Sequence, residues 1–251
     1  MKISKDKKLC EEYIGKHPVI SISLKGINAA SYEAAFELTV KTIKGAVQKA
    51  GFLKMSDKLD EDEKKEYRAI LDENMSEATL FWSLKNLSEL LEKHYETKVI
   101  LLIDEYDVPL AKAFENGYYD KMVFLIRNLL EQTLKTNNSL KFAVMTGCMR
   151  ISKESIFTGL NNLKVLSITD ERFDEYFGFT DEDVKEMLRY YDREDHYEEM
   201  RNWYDGYRFG STDVYCPWDV LNHCDKIKEN AAAFPENYWV HTSSNEAVKK
   251  I

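Results

Sequence analysis

The sequence predicts an α/β protein: a layered domain built on a parallel sheet, followed by a smaller, mostly helical C-terminal domain. Three observations carry that expectation. Val99-Ile100-Leu101-Leu102-Ile103 is an unbroken apolar run, too short for a helix and suited to a strand buried on both faces. Segments with helical apolar spacing alternate with β-branched runs up to about residue 178, the rhythm of strand–helix–strand units. Beyond Gly178 the strand-like runs stop, helical stretches dominate, and aromatics become frequent.

Only 4 Pro and 10 Gly punctuate the 251 residues, so the elements should be long. Val19 to Leu24, after Pro18, is β-branched at alternate positions and predicts a strand. Ser31 is placed as an N-cap for a helix that packs Phe36, Val40, Ile43 and Val47 inward and stops at Gly51. Residues 57–73, dense in Asp, Glu and Lys, predict a solvated helix. Ser76 to Tyr95 carries Leu80, Leu84, Leu87, Leu90 and Leu91 on one stripe, as a core-facing helix does. After the apolar strand, Pro109 should keep the loop from continuing as a helix. A helix follows over about Asp120 to Lys135, then a strand from Leu140 that ends at Gly147, and a short strand over Val165–Ile168. Residues 181–204 and 217–229 read as helical. The expected domains are therefore 1–178 and 179–251.

Composition narrows the function classes. Hydrophobic residues make up 44% and charged residues 31%, the balance of a soluble globular chain. A net charge of −9 argues against a general phosphate-backbone binder, so nucleic acid is not the expected partner. The four cysteines form no C-x-x-C pair and read as free thiols of a reducing compartment. Cys216, His223 and Cys224 meet no zinc spacing and read as unrelated residues of a helical region. No apolar run approaches membrane-spanning length, and the N-terminus has no signal-type apolar segment, so the expected location is cytoplasmic.

The chemistry-bearing feature is Asp104-Glu105 directly after the apolar strand. Open α/β sheets bind ligands at the carboxyl ends of their strands. Asp104 there suits a hydrated Mg²⁺, a hard cation that takes oxygen ligands. Glu105 suits the orientation and deprotonation of a water that attacks a terminal phosphate. Asp107 extends the acidic cluster as a further metal-binding candidate. The competing reading is that strands often end in acidic residues because the chain becomes polar on leaving the core.

The stretches LLIDEYDVPL, TGCMRISKESIFTGLNNLKVLSI, DEYFGFT, WYDGYRFG, VYCPWDVL and YWVHTSSN carry a resemblance over nearly the whole chain. The sequence resembles the bacterial AAA-ATPase-like family, relatives of the archaeal-type and STAND P-loop ATPases. The resemblance implies that ILLIDEYD is the Walker B strand, with Asp104 on Mg²⁺ and Glu105 polarising the water. It places Thr146 or Arg150 as the sensor of the terminal phosphate of ATP. For Arg150 a salt bridge to Glu154 is the equal alternative. It also brings Arg208, in a helical lid-like or winged-helix-like region, toward the nucleotide, against the plainer reading of a surface arginine. Trp203, Tyr204, Tyr207 and Phe209 are expected in the core of that second domain.

One departure shapes the functional expectation. No G-x-x-x-x-G-K-[ST] run occurs, and Gly15-Lys16 is followed by His17-Pro18. The expected fold is thus a P-loop NTPase-like core without its first strand and P-loop, in a truncated or degenerate copy. The expected function is a partial ATPase domain, with ATP binding and hydrolysis coupled to a conformational switch in the intact family and little activity in this chain alone. The alternative is a catalytically dead remnant acting as a protein-interaction scaffold. Association with a protein partner, or self-association, is expected through the sheet edge that the missing strand would leave open.

Overall fold

The structure, a computed structural model, describes residues 2–148 and 163–239. It divides into two compact units, Met1–Leu163 and Lys164–Ile251. The boundary expected near residue 178 falls inside the second unit.

In the first unit, α1 (Lys7–Tyr13) precedes β1 (Val19–Ser23), α2 (Tyr32–Gln48), α3 (Glu61–Ile70), α4 (Glu77–Tyr95) and β2 (Val99–Asp104). Then come α5 (Val108–Glu115), α6 (Tyr119–Leu134) and β3 (Leu140–Met145). The strands form one parallel sheet in the order β1-β2-β3. The caps follow from the sequence. Ser31 accepts from the Ala34 amide at 3.3 Å to open α2, and Ser76 accepts from the Thr79 amide at 3.1 Å to open α4. Asp60 and Glu63 close a reciprocal capping box on α3.

The core lies on one face of the sheet. Ile20 and Ile22 pair with Leu101 and Ile103 in register, so their side chains share that face. They are buried together with Ile43 and Val47 of α2, Leu80, Leu84 and Leu87 of α4, and Met122, Ile126 and Leu129 of α6. The opposite face differs from the expectation of a strand buried on both sides. Ile100 is buried there, but Leu102, Val19, Phe142 and Val144 are exposed. The apolar run cannot reveal this, because it reads the same whether or not a second helical layer exists. Within the described residues, the Tyr13 ring of α1 contacts Phe142 edge-on at 6.1 Å on that face.

The second unit packs α7 (Asp181–Tyr190), α8 (Tyr197–Tyr204) and α9 (Pro217–Glu229) around Leu188, Met200, Tyr204, Val220 and Ile227. It is less helical than expected. β4 (Asp205–Phe209) and β5 (Thr212–Tyr215) form an antiparallel hairpin across WYDGYRFG. Gly210 makes the turn possible: its φ is +51°, and a Cβ would lie 2.7 Å from the Asp170 carbonyl oxygen. The predicted helix over 181–204 is two helices, broken where Asp192 takes φ +56°.

Three further expectations are corrected. Val165–Ile168 is not a strand; it is irregular and turn-like. Pro109 does not prevent a helix but sits in the first turn of α5, where a missing amide costs nothing. Of the four aromatics placed in the second core, only Tyr204 is buried; Trp203 and Tyr207 are exposed on or beside the hairpin, and Phe209 is half-buried. Among the described residues, no helix is long and apolar enough to cross a membrane.

The middle strand depends on its inward side chains. Leu101→Ala should cost about 3 kcal/mol of unfolding free energy, measured by urea denaturation. An unchanged midpoint would contradict the burial of Leu101.

Candidate functional site

Parallel pairing brings the carboxyl ends of three strands together. The Leu24 amide, just past β1, donates to the Asp104 carbonyl at 2.9 Å. The Thr146 amide, just past β3, donates to the Ile103 carbonyl at 2.9 Å, and the Tyr106 amide donates back to the Thr146 carbonyl at 3.1 Å. The ladder therefore continues past the strands and fixes the two loops side by side.

Side chains reinforce it. The Thr146 hydroxyl donates to Asp104 Oδ1 in a short contact. Thr146 and Asp104, singled out separately in the sequence, thus meet although 42 residues apart. Glu105 takes φ +54°, a left-handed conformation that costs a non-glycine residue roughly 1 kcal/mol or more. That turn takes the chain from β2 into α5. It leaves Glu105 Oε2 buried with no hydrogen-bond partner among the described residues, while Oε1 lies 3.7 Å from Lys25 Nζ. Lys25 is exposed and Glu105 half-buried, so water weakens this ion pair and it offsets little of the carboxylate's charge.

Asp107 is 3% exposed and packs where β3 ends. A Cβ on Gly147 would stand 2.6 Å from Asp107 Oδ1 and 2.8 Å from the Tyr106 ring. Gly147 is required because the acidic loop passes where a side chain would be. The glycine at the end of the third strand was visible in the sequence, but its neighbour was not. Tyr106, Gly147 and Cys148 are thus site residues that sequence reasoning missed as such.

The local field is negative. Cys148 is held above the usual thiol range, first by partial burial and then by the charges of Asp107, Glu105 and Asp104. Asp104, Glu105 and Asp107, with the Thr146 hydroxyl on Asp104, put oxygen donors along one rim, the type of ligand a hard divalent cation such as Mg²⁺ takes. The orphaned oxygen of Glu105 points the same way. Among the described residues, the charged side chains of the rim are acidic apart from Lys25, a poor match for a nucleotide's phosphates.

Of the other predicted site residues, Arg150 lies outside the described residues. Arg208 belongs to the second unit, where it donates to Asp213 Oδ1 at 2.9 Å and to the Ser211 carbonyl at 3.3 Å across the hairpin.

Comparison with known proteins decides the relationship. The family model described as "Predicted AAA-ATPase" matches residues 2–157, which include the sheet and its acidic rim. The chain belongs to the AAA-ATPase-like family. It is 33% identical over 137 residues to an Azotobacter chroococcum mcd 1 protein named "Uncharacterized protein in vnfD 5'region". That match covers 49% of this chain and 24% of the relative, so the chain spans about a quarter of the relative's length. No solved structure matches the chain.

The electrostatics of this AAA-ATPase-like rim give a direct test. Thiolate is the reactive form, so Cys148 should alkylate more slowly at pH 8 than an ordinary exposed cysteine, with its profile displaced to higher pH. Asp104→Asn removes one negative charge and should move the profile back down, read by peptide mapping of iodoacetamide labelling. An unmoved profile would show that Asp104 does not act on Cys148.

Proposed function

We propose that this AAA-ATPase-like domain supplies the metal-and-water side of an ATPase site, built on a P-loop NTPase-like core. The observation that carries this reading is the convergence of Asp104, Glu105 and Thr146 at the carboxyl end of a central parallel strand. Asp104 is the metal carboxylate, oriented by the Thr146 hydroxyl. Glu105 is the base: its buried, uncompensated oxygen is ready to accept a proton from a water. Thr146 is the polar group of the adjacent strand that registers the terminal phosphate. Asp107, lying deeper, supports the acidic loop and contributes to the metal's field. Mg²⁺ bound there would neutralise charge on the β- and γ-phosphates during transfer.

The grip on phosphate is the weaker half. In P-loop ATPases the backbone cradle and its lysine hold the β- and γ-phosphates, and these 251 residues contain no G-x-x-x-x-G-K-[ST] run. The acidic rim alone repels a polyanion. We therefore assign these residues, by themselves, weak Mg-ATP binding and negligible hydrolysis, with ATP-driven switching a property of family members that carry the phosphate-binding loop.

One observation favours a second reading, a scaffold that associates through its sheet. Among the described residues β3 is an edge strand, and its Phe142 and Val144 are exposed beside Leu102.

Calorimetric titration with Mg-ATP separates the readings. The ATPase reading gives saturation only in the millimolar range, lost when EDTA removes Mg²⁺ and weakened at least about tenfold by Asp104→Asn. Micromolar affinity would overturn the assignment of a weak phosphate grip. Binding indifferent to EDTA and to Asp104→Asn, or no binding at all, would overturn the metal role and leave the scaffold.

A further inference from the structure

We infer that His196, Glu199 and His223, in the second unit, form a binding site for a divalent transition metal of the zinc type. The site is independent of the acidic rim in the first unit. His196 is the N-cap of α8, Glu199 lies three residues on along the same helix, and His223 comes from the middle of α9. His196 Nδ1 lies 3.1 Å from Glu199 Oε1, and His223 Nε2 lies 3.1 Å from the same oxygen. The ligand atoms of all three lie within 4.8 Å of one another.

Several features suit a metal. A tetrahedral zinc site with bonds of about 2.1 Å sets its ligand atoms roughly 3.4 Å apart, close to the two 3.1 Å contacts at Glu199 Oε1, and the three ligand atoms, within 4.8 Å of one another, would draw together around the ion. A carboxylate has two oxygens to share among donors, yet both rings converge on one of them. Two imidazoles with one carboxylate suit Zn²⁺ and its neighbours, whereas Mg²⁺ and Ca²⁺ favour all-oxygen sets. The His223 side chain is wholly buried, with its Nε2 held beside the Glu199 carboxylate. Its other nitrogen, Nδ1, is 3.4 Å from the Tyr238 hydroxyl, a partner that can fix the tautomer with the Nε2 lone pair facing the ion.

The cysteines near His223 in sequence are not the partners. Cys224 is buried, and its sulfur does not join the ligand group at His223 among the described residues. The group that gathers around His223 among the described residues is His196 with Glu199. Three protein ligands leave a fourth position for water, and the ion would tie α8 to α9.

Zinc titration of the full chain by calorimetry, with excess Mg²⁺ present to occupy the oxygen-rich rim, tests the site. The expected result is one Zn²⁺ per chain and a rise in thermal midpoint on binding. His196→Gln, at a position only partly buried, should weaken binding at least about tenfold and abolish the midpoint rise, while Cys216→Ser leaves both intact. In histidine nitrogen NMR, zinc should shift Nδ1 of His196 and Nε2 of His223. Unchanged zinc affinity in His196→Gln, loss of binding in Cys216→Ser, or no zinc uptake by the wild-type chain would each overturn the inference and leave Glu199 as a structural bridge between two rings.

Discussion

Pairing of β2 on both sides is the constraint from which the rest of the first unit follows. Ile20 and Ile22 on one neighbour, and Ala143 to Met145 on the other, hold Leu101 to Ile103 in parallel register. The register sets which residues face the helices and where each strand ends. Because all three strands run the same way, their last residues reach one rim. Asp104, Glu105 and Thr146 are brought together by main-chain hydrogen bonds before any side chain contributes.

Gathering carboxylates at a rim is electrostatically costly, and the structure shows how that cost is distributed. Thr146 satisfies one oxygen of Asp104, and exposed Lys25 weakly offsets Glu105. What remains is a buried oxygen on Glu105 and a negative field strong enough to be felt by Cys148. A left-handed backbone at Glu105 and the close passage at Gly147 are further local costs of this loop. Local strain and uncompensated charge tend to coincide where a ligand supplies the compensation. A divalent cation is the ligand we propose for that role.

Much of the first unit was legible in the sequence, because its signals are local. Ser31, Ser76 and the leucine stripe of α4 each specify their element within a few residues, and the apolar run at Val99 marks the central strand. What was not legible depends on what lies alongside. Nothing in Val99–Ile103 tells that Leu102 faces open space, and nothing in Val165–Ile168 tells that no strand pairs with it. The hairpin at Tyr207 was obscured because aromatic residues suit either a strand or a helical core, and only Gly210 marked the turn. At the site, the acidic pair was readable from its place after the strand. The Asp104–Thr146 contact and the collision that forbids a side chain at Gly147 required three dimensions. The same holds for His196 and His223, which are 27 residues apart (223 less 196) and belong to different helices.

The proposed function requires a divalent cation to bind where the three strands end. Paramagnetic broadening of backbone amide signals by substoichiometric Mn²⁺, in zinc-loaded protein so that the histidine cluster is already filled, locates that cation directly. The account predicts broadening centred on Leu24–Lys25, Asp104–Tyr106 and Thr146–Cys148. Broadening spread over the acidic surface of α3, with the strand ends unaffected, would contradict it.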